Sequence, residues 1–498
     1  LEHQCDHAHC TYVLALVDRG VQCVCTGLST RLSWHKPGPI HSISRSVEFA
    51  GGDYVSRPLV CGDSLGDIAN GCSPEAIGLG EDEPWRRITG AGLMLSAFTH
   101  ALDRHEDLAW GQIHVTPFEL GAWSLLEPMG AQNHAPQLCW IRPDLLGCVW
   151  MAGGGEGTAG MSIYLSLLST EQGSWCVPQC ISQDLERSEQ NPLLFVSSGV
   201  LHLIHSAQRV RGASDEGWAE GQSSFSMQWT AVLRHQILNV ESIDLGRAMS
   251  WEAQAWSLAK DLIETPAFCR HPPHRSEDGT WLLPIYRSLE QGGSFGHDHS
   301  EVLQLDAEGA PMGSPITVPG STGRVHGSIV PSVDGTRLYQ FLRSRLADWV
   351  YCSASADAGL SWSAPQSTDL PNNNSSIQAC RLASGRLALI FNRFGFLSDP
   401  NDPDASSVWG EARWPRTRWP LSIAISADDG QSWPWIRDID TGFGFCGPMN
   451  WDLNGQLAYP TLLEGRPGEL HVAYSWAGRQ AIRYLSLRET DILGEILG

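Results

Sequence analysis

The 498-residue chain is predicted to adopt an all-β fold, a six-bladed β-propeller with an N-terminal extension. Three observations predict this fold class. One turn motif occurs twice after apolar strands, a turn-and-strand unit recurs six times, and helical periodicity is nearly absent after residue 130. Length alone would suggest about three domains, but all-β propellers run long as a single unit.

The first observation is an octapeptide that reads Ser-x-Asp-x-Gly-x-Ser-Trp at residues 355–362 and 426–433. A hairpin turn needs a Gly that tolerates a positive φ and an Asp that hydrogen-bonds its own backbone. The Trp then covers the turn and buries a large apolar face. Degenerate copies occur at residues 169–175 and 214–218. Two full copies in matching contexts indicate a repeated β-hairpin unit.

The second observation is a turn, often Asp-Gly or Ser-Gly, that leads directly into an apolar strand. Its copies are separated by roughly 50–80 residues, a spacing that fits six blades of four strands each. The copies lie at residues 144–150, 198–204, 278–285, 334–341, 384–390 and 467–473.

Residues 1–125 fit this repeat poorly. They contain a stretch rich in Gly, Pro and Cys, and a short helix is expected near residues 91–108. We interpret residues 1–125 as an N-terminal extension that packs on the propeller or adds strands to it. Residues 126–498 are then the propeller itself.

Composition limits the classes of ligand. The formal net charge of -22 argues against nucleic acids and anionic membranes as partners. No apolar run reaches the ~18 residues of a transmembrane helix, so no membrane insertion is expected. Charged residues make up 18% and hydrophobic residues 42% of the chain, which is typical of a globular protein. An acidic ligand would need a local Arg cluster that overcomes the overall negative charge.

A soluble protein of the extracellular space or the secretory pathway is favoured. In that compartment, cysteines within residues 5–25, and the pair Cys61 and Cys72, are candidates for disulfide bonds. Overlapping glycosylation sequons begin at Asn373 and Asn374. The oligomeric state is left open.

The two octapeptides resemble the Asp-boxes of the sialidase superfamily, which lie on the outer turns of propeller blades. The resemblance covers roughly residues 130–485 and is closest to a divergent branch that lacks the N-terminal Phe-Arg-Ile-Pro arginine. Besides the octapeptides, it is carried by residues 134–138 (HAPQL), 190–195 (QNPLLF), 282–286 (LLPIY), 342–344 (LRS), 369–375 (DLPNNNS), 418–421 (RWPL) and 459–462 (YPTL).

In sialidases three arginines bind the substrate carboxylate, a Tyr with a Glu partner is the nucleophile, and an Asp is the general acid. The resemblance implies that Arg343 and Arg418 are carboxylate-binding arginines and that Tyr459 is the catalytic tyrosine. Guanidinium groups bind carboxylates through two parallel hydrogen bonds, so an acidic sugar is the expected ligand. Further candidates for substrate contact are Arg345, Arg270 and Asn191.

Three positions depart from the sialidase pattern. His134 stands where an arginine is expected, Gly160 where the acid Asp is expected, and His326 where the Glu that activates the tyrosine is expected. Glu156, which follows a run of glycines, is a candidate carboxylate for the same pocket. These departures remove the usual carboxylates and change the mechanism that can be expected.

A set of His326, His134 and Tyr459 with an Arg pair suits β-elimination at a uronic acid. Arg neutralises the carboxylate and acidifies the C5 proton, and His and Tyr transfer the protons. We therefore expect a lyase that acts on an acidic oligo- or polysaccharide. Two alternatives stay open, an exo-acting sialidase-like glycoside hydrolase with Tyr459 as nucleophile and a glycan-binding propeller without activity. No cofactor and no metal are expected, and residues 297–299 (HDH) are interpreted mainly as a solvent loop.

Overall fold

The computed structural model of the chain divides into two units, Leu1–Phe98 and Thr99–Gly498. In the first unit it describes the backbone of five strands. These pair antiparallel in chain order and are Tyr12–Val17, Gly20–Cys25, Leu28–Ser33, Ile43–Glu48 and Tyr54–Leu59. In the second unit it describes residues 110–116, 120–210, 227–243, 256–290, 292–395, 408–409, 412–415, 417–442 and 456–494. The helix expected near residues 91–108, the side chains of the disulfide candidates and the degenerate motif at residues 214–218 lie outside the described residues.

Within the described part of the second unit, six antiparallel sheets follow one another along the chain. Consecutive sheets contact each other through their inner strands, except that the inner strand of the fourth sheet contacts the second strand of the third, and the sixth sheet contacts the first. This closed ring confirms the predicted six-bladed β-propeller. The second strand of every blade coincides with one of the six predicted turn-and-strand units. Their long apolar runs form second strands because each blade packs between two others, so both faces of its sheet are buried.

The first three blades each run outward from an axial strand, with small additional strands at the edges of blades 1 and 3. Blade 1 contains Gln132–Arg142, Leu145–Gly153, Ser162–Ser169, Ser174–Trp175 and Gln179–Ser182; blade 2 contains Arg187–Ser197, Val200–Arg209, Val232–Asn239 and Lys260–Asp261; blade 3 contains Phe268–Cys269, His274–Arg275, Trp281–Arg287, His299–Leu305 and Ile316–Thr317.

The last three blades have the same organisation. Blade 4 contains Arg324–Pro331, Leu338–Ser344, Trp349–Ser355 and Gln366–Pro371; blade 5 contains Gln378–Arg381, Leu387–Asn392, Leu421–Ser426 and Trp435–Asp440; blade 6 contains Ala458–Glu464, Glu469–Trp476, Ala481–Arg488, Ala122–Leu126 and His114–Val115. Outside the blades lie the hairpin Val408–Trp409 and Ala412–Arg413, the short helical turns Gln228–Thr230, Val240–Ser242 and Gly293–His297, and the helix Glu489–Leu493.

The ring is closed by strands from both ends of the second unit. Ala122–Leu126 pairs with Ala481–Arg488, and His114–Val115 continues the same sheet. This pairing joins the start of the propeller to its end, so the sixth blade is completed by strands from both ends of the unit. The strand Ala122–Leu126 spans the division expected between residues 125 and 126. The role of the residues before it stays a prediction.

The two octapeptides form nearly identical turns between the third and fourth strands of blades 4 and 5. In the second copy Ser426 Oγ donates to Asp428 Oδ1 at 2.7 Å and accepts from the backbone N–H of Gly430 at 2.8 Å. The other carboxylate oxygen of Asp428 accepts from the Ser432 hydroxyl at 2.6 Å. Gly430 has φ = 87°, as the motif predicts. Trp433 buries its ring against Phe341 of blade 4, with ring centroids 6.1 Å apart.

Two findings bear on the expected compartment. The side chains of Asn373 and Asn374 are fully buried, so the two sequons are not accessible to glycosylation in the folded protein. None of the helices that the structure describes is long and apolar enough to cross a membrane.

Replacing Trp433 tests the packing role of the turn motif. Trp433→Ala should lower the free energy of unfolding by about 3–5 kcal/mol, because it removes a buried aromatic ring from the contact between blades 4 and 5. Trp435→Ala is the matched control, since Trp435 is only partly buried and lies over Arg386. Urea unfolding measures both variants. Equal losses of stability would contradict the assignment.

Candidate functional site

The inner strands of four blades carry a β-bulge near their first residues. Each bulge contains a residue with a positive φ, namely Ala135 (55°), Asn191 (51°), His326 (56°) and Tyr459 (54°). A bulge sets two residues against one on the neighbouring strand and re-aims the side chains around it. Left-handed backbone at a non-glycine residue carries strain, and such strain is concentrated at functional sites.

Tyr459 of blade 6 lies at the centre of the ring of inner strands. Its ring centroid is 4.2 Å from that of His134 in blade 1 and 5.5 Å from that of His326 in blade 4. The structure thus brings together the three residues expected to carry chemistry, although more than three hundred positions separate His134 from Tyr459 in the sequence.

Three arginines surround the same ring. The guanidinium carbons of Arg270, Arg343 and Arg418 lie 5.4, 5.6 and 6.0 Å from the centroid of Tyr459. They come from the inner strand region of blade 3, the end of the second strand of blade 4, and the residues just before the third strand of blade 5. A strongly cationic centre therefore exists within a chain whose formal charge is -22.

Arg343 makes the direct contact with the tyrosine. Its Nη1 donates to the hydroxyl oxygen of Tyr459 at 2.8 Å. Its Nε and Nη2 donate to Oδ1 of Asn374 at 3.0 and 2.6 Å, which fixes the plane of the guanidinium group. The buried Asn374 of the sequon is therefore a structural support for Arg343.

The arginines favour the ionised form of Tyr459. Burial alone would raise the pKa of Tyr459, and Glu156 acts in the same direction, but Arg343 and Arg418 bring the pKa below its usual value. Burial lowers the pKa of Arg418 to about 10. A buried cation that is held below its usual pKa gains stability when an anion binds beside it, so the site is suited to a carboxylate.

Arg270 has a different set of contacts. Its Nη2 donates to the backbone carbonyls of Pro136, Tyr459 and Pro460 at 3.1, 2.8 and 3.3 Å. These carbonyls belong to the bulges of blades 1 and 6, so Arg270 holds the bulge of Tyr459 from across the axis. Burial lowers the pKa of Arg270 to about 10. A contact between Arg270 and a substrate stays a prediction.

Arg345 is paired with the carboxylate of Asp298, which sequence analysis did not propose as a site residue. Its Nε and Nη2 donate to Oδ2 of Asp298 at 3.0 and 2.5 Å, and both side chains are buried. Burial alone would lower the pKa of Arg345, but the Asp298 carboxylate raises it. Asp298 is thus a buried counter-ion. The interpretation of residues 297–299 as a solvent loop is wrong for this residue. Substrate contact by Arg345 stays a prediction.

The remaining candidates lie around this centre. Asn191 is buried at the bulge of blade 2, and no hydrogen bond or ring contact among the described residues joins it to Tyr459. Glu156 lies in the loop after the second strand of blade 1, the same loop that contains Gly160, and its Oε2 accepts from Arg479 at 2.8 Å. Among the described side chains, no group of three His, Cys, Asp or Glu residues could hold a metal ion.

The histidines of the site are neutral. Burial, followed by nearby arginines that include Arg418, lowers the pKa of His134 well below its usual range. Burial and Arg343 have the same effect on His326. His271 is also buried and also has a strongly lowered pKa, because burial and Arg270 disfavour its charged form.

Sequence and structure comparisons place the chain in a family. Residues 144–472, more than half of the chain, match the model of the BNR repeat-like domain. The chain belongs to the BNR repeat-like domain family. This match and the sialidases of similar fold confirm the resemblance to sialidase-like propellers that the Asp-boxes indicated. No curated protein shows significant sequence similarity to the chain.

Solved structures of similar fold include sialidases. The Hadza microbial sialidase Hz136 superposes with a TM-score of 0.52 at 12% identity, over 72% of this chain and 66% of its own, just under two thirds. The intramolecular trans-sialidase from Ruminococcus gnavus gives 0.51 at 11% identity, over 74% and 96%. A protein of unknown function from Dyadobacter fermentans gives 0.54 at 14% identity, over 74% and 98%. At these identities the likeness concerns the fold.

The buried ion pair of Arg345 and Asp298 can be tested by removing its negative charge. Asp298→Asn should lower the free energy of unfolding by about 3–5 kcal/mol, because it leaves Arg345 buried without a counter-ion. Asp438→Asn is the matched control, since Asp438 pairs with the half-exposed Arg393 and its loss should cost only about 0–1 kcal/mol. Denaturant unfolding compares the two. A loss of stability below 1 kcal/mol in Asp298→Asn would remove Asp298 as the counter-ion of Arg345.

Proposed function

We propose that the protein is a carbohydrate-active enzyme that cleaves a bond at a carboxylate-bearing sugar by β-elimination. One observation carries the proposal. The hydroxyl of Tyr459 is hydrogen-bonded to Arg343 and has a lowered pKa. Among the described residues, no carboxylate is hydrogen-bonded to this hydroxyl. A tyrosine in this setting is prepared to exchange protons.

The arginines supply the binding part of the proposal. The guanidinium carbons of Arg343 and Arg418 lie 5.6 and 6.0 Å from the ring centroid of Tyr459, and burial lowers the pKa of both arginines. A sugar carboxylate between them would accept charge-assisted hydrogen bonds from both guanidinium groups. Binding in this orientation places the carbon next to the carboxylate beside the tyrosine.

The elimination then needs one proton acceptor and one proton donor. Ionised Tyr459 removes the C5 proton of the uronate, whose acidity is raised by the arginine-bound carboxylate. The electron pair of the C5–H bond forms the C4–C5 double bond, and the C4–O4 bond breaks toward O4. Tyr459 passes its new proton to O4 and returns to its ionised form. The products are an unsaturated uronate and a free hydroxyl group.

Hydrolysis by a sialidase-like route is the second candidate, and Glu156 is the observation that favours it. Glu156 lies in the loop where an acid is expected, and it is close enough to raise the pKa of Tyr459. A general acid must deliver a proton to the leaving group, however, and the carboxylate of Glu156 is engaged by Arg479 at 2.8 Å. Elimination is therefore the better supported reaction.

Product analysis decides between the proposed reactions. The protein is incubated with a panel of uronate-containing and sialylated glycans while absorbance is followed at the ultraviolet band of unsaturated uronates, and free sugars are then separated. A rise in absorbance is expected. Free acidic sugar without this rise would replace elimination by hydrolysis. Bound glycan that stays intact would leave a binding propeller without activity.

Substitution of the central tyrosine tests its role. Tyr459→Phe should lower kcat by at least about 100-fold, because general acid–base groups contribute on the order of 100- to 10,000-fold. Tyr484→Phe is the control, since Tyr484 is a buried tyrosine in blade 6 whose hydroxyl bonds His471 at 2.7 Å. If both variants keep the wild-type rate, Tyr459 has no part in the reaction.

A further inference from the structure

A serine links two histidines of the site that lie on different blades. The Oγ of Ser376 is 3.2 Å from Nδ1 of His326 and 3.2 Å from Nε2 of His271. Ser376 stands just before the inner strand of blade 5, His326 is at the bulge of blade 4, and His271 follows the first inner strand of blade 3. Their side chains are 0, 3 and 1% exposed, so bulk water does not compete for these hydrogen bonds.

The Ser376 hydroxyl can donate its single hydrogen to only one of the two rings and must accept from the other, and this couples the two imidazoles. Both rings are neutral, so each carries a single N–H. If Ser376 donates to His271, then His326 donates from Nδ1 and has an unprotonated Nε2. If Ser376 donates to His326, then His271 donates from Nε2, and His326 carries its hydrogen on Nε2.

The other nitrogen of His271 distinguishes the two arrangements. Nδ1 of His271 is buried and has no hydrogen-bond partner among the described residues. In the first arrangement this nitrogen carries a hydrogen and becomes a buried N–H without an acceptor. In the second it has only a lone pair. Buried N–H groups without a partner are rarer in proteins than unsatisfied acceptors, so the second arrangement is favoured.

We propose that His271 and Ser376 are positioning residues that hold His326 in the Nε2–H tautomer, so that His326 presents a neutral hydrogen-bond donor to the bound sugar. The ring of His326 lies 5.5 Å from that of Tyr459, and its Nδ1 is engaged by Ser376. Nε2 is therefore the nitrogen available to a substrate oxygen.

This inference rests on the proposed elimination and refines it. An imidazole with hydrogen on Nε2 cannot accept the C5 proton there, so the base is Tyr459. The role of His326 is to stabilise negative charge that develops on the carboxylate or on the departing oxygen, as donors aimed at developing charge do. His326 thus differs from the proton-transferring role that the sequence suggested for it.

Neutron crystallography of the deuterium-exchanged wild-type protein at neutral pD tests the tautomer without any substrate. Deuterium is expected on Nε2 of both His326 and His271, with the Ser376 hydroxyl directed at Nδ1 of His326. Deuterium on Nδ1 of both rings would overturn the proposal. The neutron measurement uses no substrate, so a failure of the tautomer proposal can be distinguished from a failure of the proposed function.

Variants of the serine give a second readout. Ser376→Ala should lower kcat about tenfold with a smaller change in KM, because His326 loses the hydrogen bond that selects its tautomer. Ser376→Thr keeps the hydroxyl and should recover most of the rate. Ser375→Ala is the matched control, because Ser375 is equally buried and its Oγ has no partner among the described residues. Thermal unfolding checks that both variants are folded. Equal kcat values for folded Ser376→Ala and Ser375→Ala would contradict the positioning role.

Discussion

The hydrogen bond from Arg343 to the hydroxyl of Tyr459 is the interaction on which the site depends. It is made inside the propeller, where burial would otherwise keep a tyrosine protonated, and Arg418 adds to its effect. The same burial lowers the pKa values of Arg418 and Arg270 to about 10, which still leaves both charged at neutral pH, so the centre is receptive to an anion. A single electrostatic arrangement thus prepares the tyrosine and selects the charge of its ligand.

The propeller fold makes this arrangement possible because it brings six strand ends to one axis. The bulges at His326 and Tyr459 hold left-handed backbone that an isolated strand would not keep, and the surrounding blades stabilise it. Arg270 contributes by bonding the carbonyls of two bulges across the axis. Asp298 pairs with Arg345, so its negative charge does not neutralise the three arginines around Tyr459.

Local patterns made the fold predictable, whereas the site was predictable only in part. Turn chemistry and apolar strands are encoded in short segments, so the six second strands and the two Asp-box turns agree with the structure. Tyr459, Arg343 and His134 were reached through family resemblance, and the structure brings them together. The partnerships of Asp298, Ser376 and Asn374 were not predictable, because each contact joins residues from different loops or blades. Burial of Asn374 likewise depends on tertiary packing, and it removes the sequon from use.

The most direct test of the account is the titration of Tyr459 in the wild-type protein. The tyrosinate absorbance of the wild type, minus that of Tyr459→Phe, isolates this residue from the other tyrosines as pH rises. The account predicts a midpoint below the usual tyrosine value of about 10, because the arginines outweigh burial. A midpoint at or above that value would contradict the account, since burial would then dominate and Tyr459 would stay protonated.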